Sequence, residues 1–148
     1  MRVASRYWEE DVLALVDGAV YKKGSVLRFR VEEVGWYVGF GLGLRKVIEG
    51  NQFSLKGSTH LLNEADKIGH GCFLLKKDGQ ALSHSNKENN AVLTGFKFGE
   101  GDVIEVETNE KELLVREKSG KWKFSLSIQL SEDDWHQACF CVYLRGNS

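Results

Sequence analysis

Residues 35–44, with the sequence GWYVGFGLGL, alternate between large apolar side chains and small ones. Because successive side chains of a strand point to opposite faces, one face carries the large residues and the other carries mostly glycine. The large set is Trp36, Val38, Phe40, Leu42 and Leu44. The large face requires a core, whereas glycine lets another backbone or a packed side chain approach closely. This pattern predicts a central strand in a fold of two packed sheets.

Similar alternation recurs along the rest of the chain, and convincing helix signals are lacking. The predicted strands are 25–32, 71–76, 80–84, 102–108, 112–117, 121–128 and 137–144. Asp78-Gly79 is a strong two-residue hairpin turn, and residues 102–128 predict a meander of three strands. Residues 8–20 fit either a short helix or two strands that turn at Asp17-Gly18.

Two segments, 46–69 and 83–98, are long and irregular, with one possible helical turn at 61–67. Long loops on a sheet scaffold are more often functional than accidental. At 148 residues, with no linker or repeat in the sequence, the chain predicts a single all-β domain. Residues 25–148 are expected to form its core, and residues 1–24 to pack on it as an N-terminal extension.

Composition argues against several classes of partner. The formal net charge is −1, so no global field favours nucleic acid or an acidic membrane. No apolar segment approaches the roughly 18 residues that a membrane span needs, and we expect no secretory signal. The absence of proline, where average usage gives about seven, fits a chain made mostly of hydrogen-bonded sheet.

Three cysteines, Cys72, Cys139 and Cys141, show no disulfide spacing. A bridge between Cys139 and Cys141 would strain a flat strand, because a disulfide needs its Cβ atoms about 3.8 Å apart. We therefore expect reduced thiols, and with them a cytoplasmic (intracellular) location.

Two patterns suggest a bound ion, and each has a structural alternative that we favour. The glycines of 35–44 invite comparison with a phosphate-binding loop, but such a loop must leave a strand and open a helix at a different spacing. His70 and Cys72, with His60 and His84 as possible neighbours, suggest a zinc site. Zinc needs four converging ligands, typically in pairs with short spacing, and the single H-x-C pair is weak evidence for such a set. Ordinary core and hairpin roles are favoured, so we expect no metal and no cofactor.

Two further patterns suggest catalysis or nucleic-acid binding. Ser83, His84 and Asp78 could act as nucleophile, base and orienting acid. No strained nucleophile turn or oxyanion glycines accompany them, so we expect no catalytic residues and no enzyme. Residues 121–124 (KWKF) could stack on nucleic acid, but alternation sends the rings and the lysines to opposite faces. The lysines are expected to face glutamates across the sheet.

Four aromatic or imidazole side chains lie beside acidic residues and outside clear strands: Tyr7, Trp8, Trp135 and His136. Aromatic residues in loops make good interface anchors because they bury a large area at small entropic cost. The alternative is that they cap the ends of the fold. Capping is favoured, since large aromatic residues are usually mostly buried.

Several segments, taken in order, resemble the SPRY (B30.2-like) domain family. GDVIEV at 101–106 resembles the family's most diagnostic segment, G-D-V-I-G-V, with Glu105 in place of a glycine. WYVG at 36–39 resembles W-x-V-G. Further similar segments are 69–85, which resembles the hairpin after the family's long variable loop, and 121–128 and 135–148, which resemble later strands. The proline usual in the last strand is absent, so the chain is identified as a divergent member.

The resemblance implies a bent β-sandwich of two antiparallel sheets with long loops at one edge. It also implies binding of another protein or a peptide through those loops, without chemistry, usually as a module of a larger assembly. The candidate binding residues are Arg45, Asn51, His60, His84, Asn86, Asn89 and Trp135. Neither nucleic acid nor a membrane is expected as partner, and a homo-oligomer is not indicated. A carbohydrate-binding sandwich and a structural subunit of a large complex stay open as alternatives.

Overall fold

The computed structural model of the protein describes residues 11–20, 24–32, 37–53 and 68–145. In chain order, the strands are β1 (Asp11–Val20), β2 (Val26–Arg30), β3 (Tyr37–Leu44), β4 (Cys72–Lys76), β5 (Gln80–Ser83), β6 (Val92–Leu93), β7 (Val103–Thr108), β8 (Glu112–Glu117), β9 (Lys123–Ser127) and β10 (Ala138–Arg145). The described helices are α1 (Arg45–Gly50), α2 (Glu132–Gln137) and a 3₁₀ helix (Lys87–Asn89). Tyr7, Trp8, His60 and the possible helical turn at 61–67 lie outside the described residues.

The strands form two antiparallel sheets. The larger sheet has the order β1-β10-β3-β4-β5-β6, and the smaller has the order β2-β7-β8-β9. The two sheets pack face to face over one apolar core, to which both contribute side chains. The β4-β5 hairpin and the β7-β8-β9 meander are paired as the turn signals predict. The prediction of an all-β sandwich of two antiparallel sheets is confirmed.

Strand β3 lies inside the larger sheet, between β10 and β4, as the alternation of residues 35–44 predicts. Its large side chains face the core, where the Phe40 ring stacks on Phe29 of β2 with centroids 4.5 Å apart. On the opposite face, a Cβ atom at Gly41 would overlap the carbonyl oxygen of Phe73 on β4. The close approach of a neighbouring strand therefore requires glycine at this position.

The described part of the ambiguous N-terminal stretch, residues 11–20, forms one strand, β1, which pairs with β10. The pairing is regular from Asp11 to Leu15, and the register shifts before Val20. This irregularity explains why the stretch lacked a clean period of two. Part of the segment expected as an extension is thus an outer strand of the larger sheet.

The short helices are the main departure from the expected structure. Helix α2 begins after Ser131, whose hydroxyl accepts a hydrogen bond from the Asp134 amide at 3.2 Å. Helix α1 has no side-chain cap, and its buried Ile48 packs on the outer face of the larger sheet. Of the helices in the described parts of the chain, none has the length and apolar character needed to cross a membrane.

The outer face of the larger sheet is buried as well. Its apolar cluster contains Leu13, Ile48, Cys72, Leu74, Leu82, Cys141 and Tyr143. All three cysteines are buried thiols, consistent with their expected role as small hydrophobic residues. Lys76 shares this face, with its Nζ atom 4.7 Å from the centroid of the Tyr143 ring and 3.0 Å from Gln80 Oε1. The cation is accommodated there by the face of the ring and a hydrogen bond.

The outer face of the smaller sheet is polar. The Glu105 carboxylate accepts hydrogen bonds from Arg28 Nε at 2.6 Å and from Arg116 Nε at 3.3 Å. Arg116 also donates to Glu107 at 3.1 Å. The hydrogen bond from Arg28 lowers the pKa of Glu105, which keeps this carboxylate charged. The partners of these two carboxylates are arginines. The lysines of 121–124 were expected to face Glu105, Glu107, Glu112 or Glu117, and Lys121 does act on Glu117, whose pKa is lowered first by hydrogen bonds from Ser119 and further by the Lys121 charge.

Candidate functional site

One end of the larger sheet gathers four chain segments, which we call the loop edge. They are residues 44–46 after β3, 69–72 before β4, 83–90 after β5 and 135–138 before β10. The antiparallel register brings them together, because Leu44 pairs with Ala138 and Phe73 pairs with Ser83. The loop edge holds most of the described binding candidates that the sequence suggested.

Hydrogen bonds join these segments across the strand ends. The Leu44 amide donates to the Gly71 carbonyl oxygen at 2.8 Å, which links the end of β3 to the start of β4. The Lys46 amide donates to Gln137 Oε1 at 2.8 Å, which links α1 to α2. The first turn of α1 and the last turn of α2 are therefore held beside each other.

Two imidazole rings lie at the β4–β5 side of the loop edge. His84 Nδ1 accepts a hydrogen bond from the Gly71 amide at 2.8 Å. His70 Nδ1 accepts one from the Cys72 amide at 3.1 Å. The two rings meet edge to face, with centroids 6.4 Å apart. Because each Nδ1 atom accepts from an N–H group, both rings are neutral and carry their proton on Nε2.

Asn90 connects this pair of rings to β5. Its side-chain oxygen accepts a hydrogen bond from the Ser83 amide at 3.0 Å and lies 2.8 Å from His70 Nε2, which donates to it. Asn90 is 6% exposed, so these bonds are made away from solvent. We call His70, His84, Ser83 and Asn90, with the amides of Gly71 and Cys72, the histidine corner.

The surroundings favour neutral rings. Burial lowers the pKa of His70, with a further lowering from the Lys76 charge, and the hydrogen bond to Asn90 acts in the opposite direction. Burial also lowers the pKa of His84, and the neighbouring His70 adds to this, while Asp134 opposes it. Both imidazoles are therefore uncharged at neutral pH, in agreement with their hydrogen bonds.

The polar candidates that follow β5 are used mainly to build the loop. The Asn86 side chain accepts a hydrogen bond from the Glu88 amide at 2.9 Å and so caps the 3₁₀ helix. His84 is committed to the Gly71 amide through Nδ1. Asn89 lies at the end of the 3₁₀ helix and is half-buried. Of these three candidates, Asn89 is the one whose side chain has no structural role of this kind.

The other candidates are distributed along α1 and α2. Arg45 opens α1, is 39% exposed, and forms an ion pair with Glu49 at 3.6 Å. Trp135 in α2 is half-buried and packs against the main core, which agrees with the capping interpretation. Asn51 is the residue that follows α1, and the helix leads away from the loop edge. Two residues later, the carbonyl oxygen of Phe53 accepts a hydrogen bond from the Leu13 amide of β1.

Among the described residues, the possible catalytic trio of Asp78, Ser83 and His84 is not brought together, and His60 of the possible zinc set lies outside them. Asp78 lies in the turn before β5 and His84 follows the other end of that strand. Ser83 is fully buried, and its hydroxyl oxygen accepts a hydrogen bond from the Asn86 amide at 3.1 Å. Within residues 11–20, 24–32, 37–53 and 68–145, no group of three or more His, Cys, Asp or Glu residues is arranged to hold a metal ion.

Sequence reasoning identified His84 but missed the role of Asn90. The run HSNKENN contains three asparagines that look alike in the sequence. Only Asn90 is buried, and its partners on β5 and before β4 become visible only when the strands are paired. No local signal in the sequence could have singled it out.

Comparisons with protein-family models and with curated proteins gave no match to this chain.

Replacing Asn90 with alanine is expected to destabilise the protein by about 1–3 kcal/mol, because the Ser83 amide and His70 Nε2 lose their acceptor away from water. Urea denaturation at pH 7.5 measures this change. Asn89→Ala, one residue earlier, is the matched control and should shift the free energy of unfolding by less than about 0.5 kcal/mol. Equal effects of the two variants would contradict the assigned role of Asn90.

Proposed function

We propose that this protein is a non-catalytic recognition module that binds a peptide segment or a protein surface at the loop edge. The observation that carries this proposal is the set of hydrogen bonds that fixes loops from four strand ends in one place. Loops ordered before binding lose less conformational entropy when a partner docks. The resemblance of residues 101–106 and 36–39 to SPRY domains supports the same mode of action.

The chemistry offered at the loop edge suits a polypeptide partner. Arg45 and the half-buried Asn89 provide hydrogen-bonding groups for main-chain carbonyl and amide groups. Trp135 offers the exposed part of a large ring that is held on the core. Ile68, 47% exposed and next to the segment 69–72, adds an apolar contact. Aromatic and arginine anchors of this kind dominate binding energy in protein interfaces.

The cysteines support a proposal about the compartment of the partner. Cys72 on β4 and Cys139 and Cys141 on β10 are buried thiols, on the two strands that flank β3 in the larger sheet. Reduced thiols are typical of the cytosol, where glutathione and thioredoxin keep cysteines from forming disulfides. We therefore propose a cytoplasmic protein or peptide as the partner.

Peptides selected from a random phage-displayed library against the wild-type protein test the proposal. The double variant Arg45→Ala/Trp135→Ala is expected to bind a selected peptide about a hundredfold more weakly, since each of the two anchors contributes about 1.4 kcal/mol. Isothermal titration calorimetry measures the affinity. Circular dichroism melts must first show that the double variant is folded at the temperature of the titration.

The matched control is Lys77→Ala. Lys77 precedes the β4–β5 turn at the opposite end of the same sheet, and its replacement removes one positive charge, as Arg45→Ala does. This variant is expected to bind like the wild type. Selected peptides that bind the double variant as tightly as the wild type, or that lose affinity in Lys77→Ala, would contradict the proposed site.

A further inference from the structure

We propose that the histidine corner is a proton-operated latch, which holds the loop edge closed while both rings are neutral and releases it when either ring takes up a proton. The latch is a property of the fold itself and is tested without a partner. Its use to control binding rests on the function proposed above.

The hydrogen-bond directions carry this inference. The Gly71 and Cys72 amides follow each other in the chain, and each donates to the Nδ1 atom of a different ring. A protonated imidazole carries a hydrogen on both nitrogens and accepts no hydrogen bond. Protonation of either ring would therefore set an N–H group against an N–H group and leave a backbone amide without its acceptor.

The two rings act on the same short segment. His84 also accepts a hydrogen bond through its carbonyl oxygen from the Gly69 amide at 2.8 Å, so residues 69–72 are attached to it at two points. His70 lies within that segment and reaches Asn90 through Nε2. Release of the His84 ring therefore removes one of the bonds between the segment before β4 and the segment after β5. Protonation of His70 acts on the same segment from within, because its Nδ1 atom accepts from the Cys72 amide two residues later. We infer that this pair of segments opens as one unit.

The charged groups around the corner do not stabilise a second proton. On β4, Lys76 presents a positive charge that disfavours protonation of His70. On α2, Asp134 favours protonation of His84 but is outweighed by burial and by the neighbouring ring. From the 83–90 segment the group that faces His70 is the neutral amide of Asn90, and from β4 the Cys72 thiol lies 4.0 Å from the His70 carbonyl oxygen.

The direction of the pH effect follows from proton counting. In the open state each ring has its ordinary pKa of about 6.5, and in the closed state the pKa of both rings is lower. The open state therefore binds more protons over the interval between the two values. The closed state is most favoured above about pH 6.5. As the pH falls below this value, the equilibrium constant for closure decreases by up to about tenfold per pH unit for each proton taken up.

Amide hydrogen exchange of Gly71 and Cys72, followed by NMR between pH 7.5 and pH 5 and corrected for intrinsic exchange rates, measures the opening. In the wild type, the equilibrium constant for opening is expected to rise as the pH falls. The slope of its logarithm against pH should correspond to uptake of more than one proton. His84→Asn keeps an acceptor at the position of Nδ1 but cannot be protonated there, so the slope should fall by about one proton. His136→Asn is the matched control, because His136 is an exposed histidine of α2 outside the corner, and it should leave the slope unchanged.

A slope of zero in the wild type, or the same slope in His84→Asn as in the wild type, would overturn the latch. Imidazole ¹⁵N spectra of the wild type at pH 7.5 give an answer even if His84→Asn does not fold. Both rings must show an unprotonated Nδ1 atom and a protonated Nε2 atom. A proton on Nδ1 of either ring would refute the proposal without reference to any partner.

Discussion

Replacing Phe40 with alanine is expected to lower the free energy of unfolding by about 3–5 kcal/mol, the range for loss of a buried phenylalanine. Phe40 is 5% exposed and projects from the middle of the larger sheet. Its ring stacks on Phe29 of the smaller sheet at 4.5 Å between centroids and lies 5.5 Å from the ring of Phe98. Alanine would leave a cavity between the side chains that the two sheets contribute to the core.

Urea denaturation followed by tryptophan fluorescence measures the loss. Phe53→Ala is the matched control, since the Phe53 side chain is 43% exposed, and it should cost less than about 1 kcal/mol. Phe40→Leu retains most of the buried volume and keeps the test possible if Phe40→Ala does not fold; it should cost less than the alanine variant. Comparable losses in Phe40→Ala and Phe53→Ala would contradict the packing of the two sheets through Phe40.

The second large effect is expected at a position without a side chain. A Cβ atom at Gly41 would overlap the Phe73 carbonyl oxygen and lie 2.6 Å from Leu74 Cα. These are backbone atoms of β4, which cannot move without breaking the pairing of β3 with β4. Gly41→Ala is therefore expected to destabilise the protein by about 3 kcal/mol or more, at the upper end of the cost of overpacking.

Gly99→Ala is the control for this substitution. A Cβ atom at Gly99 would meet nothing within 4 Å, so its effect should remain within about 1 kcal/mol. Thermal melts of both variants under identical conditions make the comparison. If Gly41→Ala melts at the temperature of Gly99→Ala, then β3 and β4 are not as close as described.

Strand positions were predictable because their signal is local and repeats every two residues. In β9 the burial alternates along KFSLS as the sequence alternates, since one face meets the core and the other meets solvent. The same rule identified the faces of β3, including the glycines at 39, 41 and 43. The rule did not show that the glycine face of β3 is also buried. A face of small residues gives the same alternating sequence whether it is buried or exposed to solvent.

The short helices were harder to predict, for two different reasons. α2 carries a start signal, since Ser131 precedes three acidic residues that favour the positive end of a helix, and this signal was overlooked. α1 has neither cap nor acidic first turn, and burial of Ile48 against the outer face of the larger sheet stabilises it. Its formation depends on tertiary contact, which six residues of sequence do not reveal.

The candidate site was predictable in position but not in the roles of its residues. Loops that interrupt clear strands identified the segments around Arg45, His84 and Trp135. The structure shows that His84 and Asn86 hold the loop rather than project from it, because their acceptor atoms are used by the amides of Gly71 and Glu88. Such roles follow from the register between β3, β4 and β5, which no single segment encodes.

Amide chemical-shift mapping with a selected peptide tests the central claim most directly. On titration of the labelled protein at pH 7.5, the largest shift changes are expected in 44–46, 69–72, 83–90 and 135–138. Smaller or no changes are expected at the β4–β5 turn and on the polar outer face of the smaller sheet. Changes concentrated in residues 77–79, or around Arg28, Glu105 and Arg116, would show that the loop edge is not where this protein recognises its partner.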